Sequence, residues 1–467
     1  SSHPQFFGLQ QKERGCFEMF QRFIRIWEFL SHSLWFTPLL YAFGGVILAL
    51  LSVRVTGADV AASLPDFWPQ FSTTETARDL ISTLLATLVT MTTFALSITM
   101  VVLTLAAGSL GPRTIRNFMG DPKTQNAIGC FVGSILFFIG TLVIMGGATQ
   151  PDQVPQIATM SAIGLFVICL FVLILFVHNL GRSIVADQVI HRVGSNLEDT
   201  ISSALDTLKG PIEAAQKDHC TLPKSNDIND VSAIIAAKSG YVQGLDYDHL
   251  RDVAIKHDIT IALIVHAGQH VIKGETIGEI KSPDDEGASH IDISACQEDT
   301  AKHIMIGNQR TEMLDIEFAL RQLVEIALRA LSPGINDPFT AIAVIYRLGR
   351  ALPKAMSFHY PVGLWKDDDD QNRLYGYLPD FGGMLGAAFN QIRQAATAKP
   401  DVLLPMAEVL ESLIGLTKNT TQRDILCHHA QLIHRAAERD IPETKDRQAV
   451  ERAVNRVLRR RIETRAH

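Results

Sequence analysis

No charged residue lies between Asp79 and Arg113, and this run constrains the chain more than any other feature. A helix rises ~1.5 Å per residue, so residues 83–108 are long enough to cross a hydrocarbon core of ~30 Å. Residues 34–53, 127–147 and 157–180 are also free of charge, so four transmembrane helices are expected. The second is rich in hydroxyls. Thr83, Thr87, Thr90, Ser97 and Thr104 recur at helical spacings and share one face. Such a stripe serves helix packing, through bonds to the carbonyl four residues back or across helices. Alternatively it lines a polar path when several copies surround an axis. Gly129 and Gly133 permit close helix contact.

Loop charges orient the spans. Residues 54–79 hold Arg54 and Arg78 against Asp59, Asp66, Glu75 and Asp79, and residues 148–156 hold only Asp152. Arg113, Arg116 and Lys123 follow the second span, and Arg182 and Arg192 follow the fourth. Basic loops stay inside, so both termini are expected in the cytoplasm, with Arg113 and Arg116 at the mouth of any path. The partners expected are membrane lipids and further copies of the chain. The opening Ser2 to Phe6 resembles a streptavidin-binding tag and carries no weight in the fold. Residues 10–33, with Arg22 and Arg25 among Phe17, Phe20 and Trp27, suit the membrane interface or an ordinary packed helix.

Later in the chain the charges become frequent. A net charge of −7, from 42 basic and 49 acidic residues, leaves no footprint for nucleic acid. The six cysteines are scattered without a CxxC pair, which argues against a disulfide framework or zinc knuckle.

The expected fold is an α-helical membrane protein with a cytosolic α+β region, in five segments. Residues 1–33 are interfacial and 34–180 hold the four spans. Residues 181–230 form a helical extension, ended by Lys209-Gly210-Pro211 and with Gly181 and Gly194 as weak points, followed by a polar linker at residues 221–230. Residues 231–311 form a small β-rich module of short valine- and isoleucine-rich strands broken by glycine turns. Its glycine spacing resembles the hammerhead-like barrels of the biotinyl and lipoyl type, without a modifiable lysine at a hairpin tip. Residues 312–467 are expected to be all-helical, with Asp367–Asp370 in a solvated loop.

The most distinctive short stretch is residues 329–341, RALSPGINDPFTA. Gly334 suits a left-handed helix end, Asp337 an N-cap and Pro338 a first helical residue. Around it gather Arg310, Asp315, Arg321, Glu325, Arg329, Ser332 and Asn336. Arg321, Glu325 and Arg329 lie four apart and can pair. The cluster reads as a structural ion-pair network, as a ligand site, the ligand then being a small anion, or, as a third reading, as a catalytic site at Asn336-Asp337.

The hydroxyl-rich stretch FALSITMVVLTLAAGSLGPRTIRNF together with RALSPGINDPFTA resembles an uncharacterised bacterial family of predicted membrane proteins, classed as a domain of unknown function. The resemblance implies four N-terminal spans and a C-terminal region outside the bilayer. It brings no catalytic residues.

His428, His429 and His434 share one expected helix, but their spacing does not make a metal site. There is no P-loop, no GxGxxG after a strand, no GxSxG elbow and no HExxH. No cofactor, metal or catalytic residue is therefore expected. The favoured function is an oligomeric inner-membrane channel or transport-like protein with a cytosolic gating domain. The alternatives are a membrane-anchored sensor or scaffold that binds a ligand or partner, and a membrane-associated enzyme.

Overall fold

The computed structural model describes residues 35–54, 73–110, 121–147, 156–183, 186–218, 231–281, 292–311, 315–358, 362–417 and 419–463. The chain divides into two compact units, residues 1–185 and 186–467.

The first unit contains α1 (Phe36–Arg54), α2 (Thr74–Leu110), α3 (Pro122–Gly147) and α4 (Gln156–Ser183). Three helices among the described residues are long and apolar enough to cross a membrane: α2, α3 and α4. This corrects the expected four. The apolar part of α1 runs only from Phe36 to Ser52, about 25 Å of helix against a ~30 Å core.

α2 buries one stripe, Ala77, Ile81, Leu88, Ala95 and Val102, against Phe131, Phe137 and Phe138 of α3 and Cys169 and Phe176 of α4. α1 and α3 run parallel and close. Thr37 donates to Gln125, a Cβ on Gly129 would meet the Tyr41 ring, and a Cβ on Gly140 would meet Ala49. Between these points Gly45 lies against the Gly133 backbone, so both glycines are needed for the approach. The Gly129/Gly133 pair thus serves contact with α1. At one end of the bundle Asn179 of α4 donates to Asp121, which also accepts from Thr124 in the first turn of α3.

The second unit opens with α5 (Ala186–Asp218), which buries Val189, Val193, Leu197, Ile201 and Leu208 along one face. Helix α5 runs through Gly210 and Pro211, where the sequence suggested an end. A proline ring removes one N–H bond and kinks a helix, but bonds on either side carry it onward. Gly194 is no weak point: the Arg347 side chain lies across it. Residues 184–185 and 219–230, including the expected linker, lie outside the described residues.

Next come β1 (Val231–Ile235), β2 (Gly240–Leu245), α6 (Tyr247–Lys256), β3 (Thr260–Leu263), β4 (His270–Val271), β5 (Thr276–Lys281), α7 (Ile293–Lys302) and β6 (Ile304–Gly307). The remainder is α8 (Ile316–Ala330), α9 (Pro338–Ala355), β7 (Val362–Lys366), β8 (Asn372–Tyr377), α10 (Phe381–Ala395), α11 (Pro400–Leu416), α12 (Thr420–Asp440) and α13 (Thr444–Glu463).

The strands of residues 231–311 do not form a module by themselves. They divide between a three-stranded sheet, β4-β2-β6, and a five-stranded sheet, β1-β5-β3-β8-β7. The latter takes two strands from the part expected to be all-helical, and β3 pairs parallel with β8, Ile261 opposite Leu374. Asp367–Asp370 is therefore the turn of a β-hairpin. Asp367 accepts from the backbone of Asp369 and Gln371 and from Arg373, 2.7 Å away.

Candidate functional site

The five hydroxyl residues of α2 all lie on its exposed face, turned away from the buried stripe. Thr83, Thr87, Thr90 and Thr104 donate to the carbonyls of Asp79, Thr83, Ala86 and Met100 at 2.8–2.9 Å. None of the five packs inside the bundle. Arg113 and Arg116 lie outside the described residues.

The cluster expected around residues 310–337 separates into two groups, at opposite ends of α8. That helix has 15 residues, a length of about 22 Å. At its far end Arg329 faces Glu325 at 3.8 Å, and Ser332 donates to the Arg329 carbonyl at 2.6 Å. Here Asn336, not Gly334, is left-handed, with φ +50°. The side chain of Asn336 accepts from Lys399. Asp337 caps α9 by accepting from Thr340, whose hydroxyl is the main cause of its lowered carboxyl pKa. This end is helix punctuation.

The near end carries a pocket. Asp315 is buried, caps α8 through the Phe318 N–H at 2.9 Å, and receives a bidentate bond from Arg310 with both distances 2.7 Å. Gly268, at φ +85°, closes over this pair, where a Cβ would strike Asp315 and come within 2.6 Å of Arg310. Arg321 pairs with Glu317 at 2.7 Å, not with Glu325 as its spacing also allowed. Burial opposes charge on Glu317, but Arg321 and Arg310 outweigh it and hold the carboxyl below its ordinary range.

A cavity of about 340 Å³ opens beside these groups, lined by Asp315, Glu317, His266, Tyr247, Tyr377 and Asp380 among others. Tyr247 stacks on Trp365 with centroids 4.5 Å apart, and burial pushes its hydroxyl pKa up. Asp380 is fixed by capping α10 through Gly383 N–H, at 2.8 Å. A second, more open hollow of about 420 Å³ shares Glu317 and Gly383 and continues along Arg321, Gly386 and Asn390. The buried Oδ1 of Asn390 accepts no hydrogen bond from any described residue. Arg310 and Arg321 neutralise Asp315 and Glu317. Asp380, which has no ion-pair partner among the described residues, and the unused Asn390 acceptor therefore set the character of the two hollows. This chemistry suits a ligand that donates hydrogen bonds or carries positive charge.

Glu317, Asp380 and Asn390 were not singled out from the sequence. A signal existed for Glu317: a glutamate four residues before an arginine is the favourable orientation of a helical pair. His428, His429 and His434 all lie on α12. Burial, with the charges of His428 and Arg393, lowers the His429 pKa to about 4, and His434 faces Glu438 at 3.4 Å.

The family described as predicted membrane protein (DUF2254) matches residues 31–412. An uncharacterized protein of Mycobacterium bovis is 27% identical over 441 residues, covering 92% of this chain and 81% of the relative. One from Mycobacterium tuberculosis matches to the same extent. No solved structure matches. With that match over most of its length, and with helices long and apolar enough to span a bilayer, the chain belongs to the DUF2254 family of predicted membrane proteins.

Proposed function

We propose that the protein is a membrane-anchored sensor whose second unit binds a cationic, donor-rich small molecule at the start of α8. The observation that carries this reading is the continuity of the two hollows through Glu317, with Asp315 and Asp380 at one end and the unsatisfied Asn390 oxygen at the other. The small anion suggested by the sequence finds less support, because Arg310 and Arg321 are engaged by Asp315 and Glu317. Arg113, Arg116 and Lys123 after α2, with Arg182 in the last turn of α4 and Arg192 beyond it, support a cytoplasmic second unit. The shared end of α1, α3 and α4 then faces inward. Thermal melts of the full chain in detergent, with spermidine or arginine at millimolar concentration, test the proposal. A rise in Tm that Glu317→Gln and Asn390→Leu each reduce supports it. No rise with either probe, or a rise unchanged in both variants, overturns it.

The exposed hydroxyl face of α2 favours a second reading, an oligomeric channel with one α2 per copy around an axis. A Thr bonded to its own helix still presents acceptor lone pairs to a polar path. Ser97→Leu then blocks ion flux in liposomes and Ser97→Lys changes its charge preference, with assembly intact. A monomeric particle by mass measurement removes this reading and leaves the first untouched.

A further inference from the structure

Asp246 and His249 are three residues apart, His303 lies far along the chain, and all three stand outside the pocket's lining, yet the fold brings them together. Strands β2 and β6 pair with Leu245 opposite Ile304, so the residues just beyond that rung, Asp246 and His303, are neighbours. The Asp246 N–H donates to the His303 carbonyl at 3.1 Å, which continues the ladder by one bond. Helix α6 starts immediately after, and its first turn returns His249 to the same place. The Asp246 carboxylate lies 2.9 Å from His249 Nδ1, and the two imidazoles stack at 5.2 Å with only 8° between their planes. One ligand atom from each of the three residues lies within 4.8 Å of the other two.

Local structure accounts for the residues singly. Asp246 is the N-cap of α6, and His303 follows α7 as its C-cap. Capping does not account for two imidazoles and a carboxylate converging from two chain segments at one sheet end. We propose that this trio is a binding site for a divalent transition metal, with Zn²⁺ the best fit. Two histidine nitrogens and one carboxylate oxygen form a recognised three-ligand zinc set, which leaves a fourth position for water or an exogenous group. Ligand atoms around tetrahedral zinc lie about 3.4 Å apart, so side-chain rotation closes the trio without moving the ladder. Both Asp246 and His249 are about half exposed, which leaves the site open to entry from solvent. A bound ion would fasten the α6 start to the β2–β6 ladder.

Co²⁺ titration of the full chain in detergent, read by visible absorption and back-displaced with Zn²⁺, tests the site. The expected result is one equivalent of Co²⁺ per chain with ligand-field bands, and a Tm raised by Zn²⁺ and restored by chelator. His249→Ala and His303→Ala each weaken binding by about tenfold or more, since even an outer-shell change costs that much. Asp246→Asn is the decisive variant. Asparagine caps a helix as well as aspartate does, so the chelated protein melts as wild type while Co²⁺ affinity falls. Absence of stoichiometric Co²⁺ binding overturns the proposal, as does wild-type affinity in Asp246→Asn together with His303→Ala.

Discussion

Asn336 shows how a turn is decided at a single residue. Its φ of +50° is a conformation that asparagine tolerates and β-branched residues do not, whereas Gly334 has open space beside it. Asn336→Val is expected to destabilise the second unit by about 1–2 kcal/mol, and Gly334→Ala by well under 1 kcal/mol, in paired thermal melts. Gly268 is the opposite case. Its positive φ and the Arg310–Asp315 pair beside it both exclude a side chain, so Gly268→Ala should cost about 3 kcal/mol. His429 adds a pH dependence. Its folded pKa of about 4 lies below the ordinary 6.5, so the unfolded chain takes up this proton first as pH falls. Its stabilising contribution is whole above pH 6.5 and drains away toward pH 4, by about 2 kcal/mol between pH 7 and 5. Melts of His429→Met should lose that part of the slope.

Among the elements, α5 is tied to α9 by a buried ion pair. Arg347 reaches across Gly194 to Glu198, which also meets Arg350 at 3.3 Å. Removing one partner leaves a buried charge unpaired, so Glu198→Ala should cost about 3 kcal/mol or more. Glu198→Leu with Arg347→Met should cost less than either single change, because the desolvation of both charges disappears with them. A double-mutant cycle of melts checks this. Helix starts were legible because their caps are local: Asp315, Asp337 and Asp380 all accept from backbone N–H groups three residues on. The hairpin β7–β8 was not. Four consecutive residues of β7 are buried, so it shows no alternation, and four aspartates at its turn imitate a solvated loop. At the pocket, Arg310 and Asp315 were legible as charges near a helix start. The other residues of the two hollows, Gly268 over that pair and Asp380 and Asn390 along the lining, were not legible as site members, because long-range packing, not spacing, assembles them.

At the scale of the whole molecule, the parallel run of α1 against α3 and the Asp121–Asn179 bond fix which helix ends lie together. Glu75→Cys and Asp152→Cys, in a background without the six native cysteines, should label from outside the cell. Cysteines replacing Asp121 or His467 should label only after permeabilisation. Position 467 reacting from outside would reverse the assignment of the second unit to the cytoplasm. The pairing of β3 with β8 also imposes an order on synthesis. The Thr260 hydroxyl bonds to the carbonyl of Asn372, 112 residues further along. A ribosome that has released residue 281 but not yet residue 377 leaves β3 with one neighbour and an open edge. An unpaired strand edge recruits other chains, so this interval is the one in which the nascent protein is most exposed to wrong pairing. Stalled chains ending near residue 355 should be protease-sensitive through residues 231–281, and chains in which residue 377 has cleared the exit tunnel should resist.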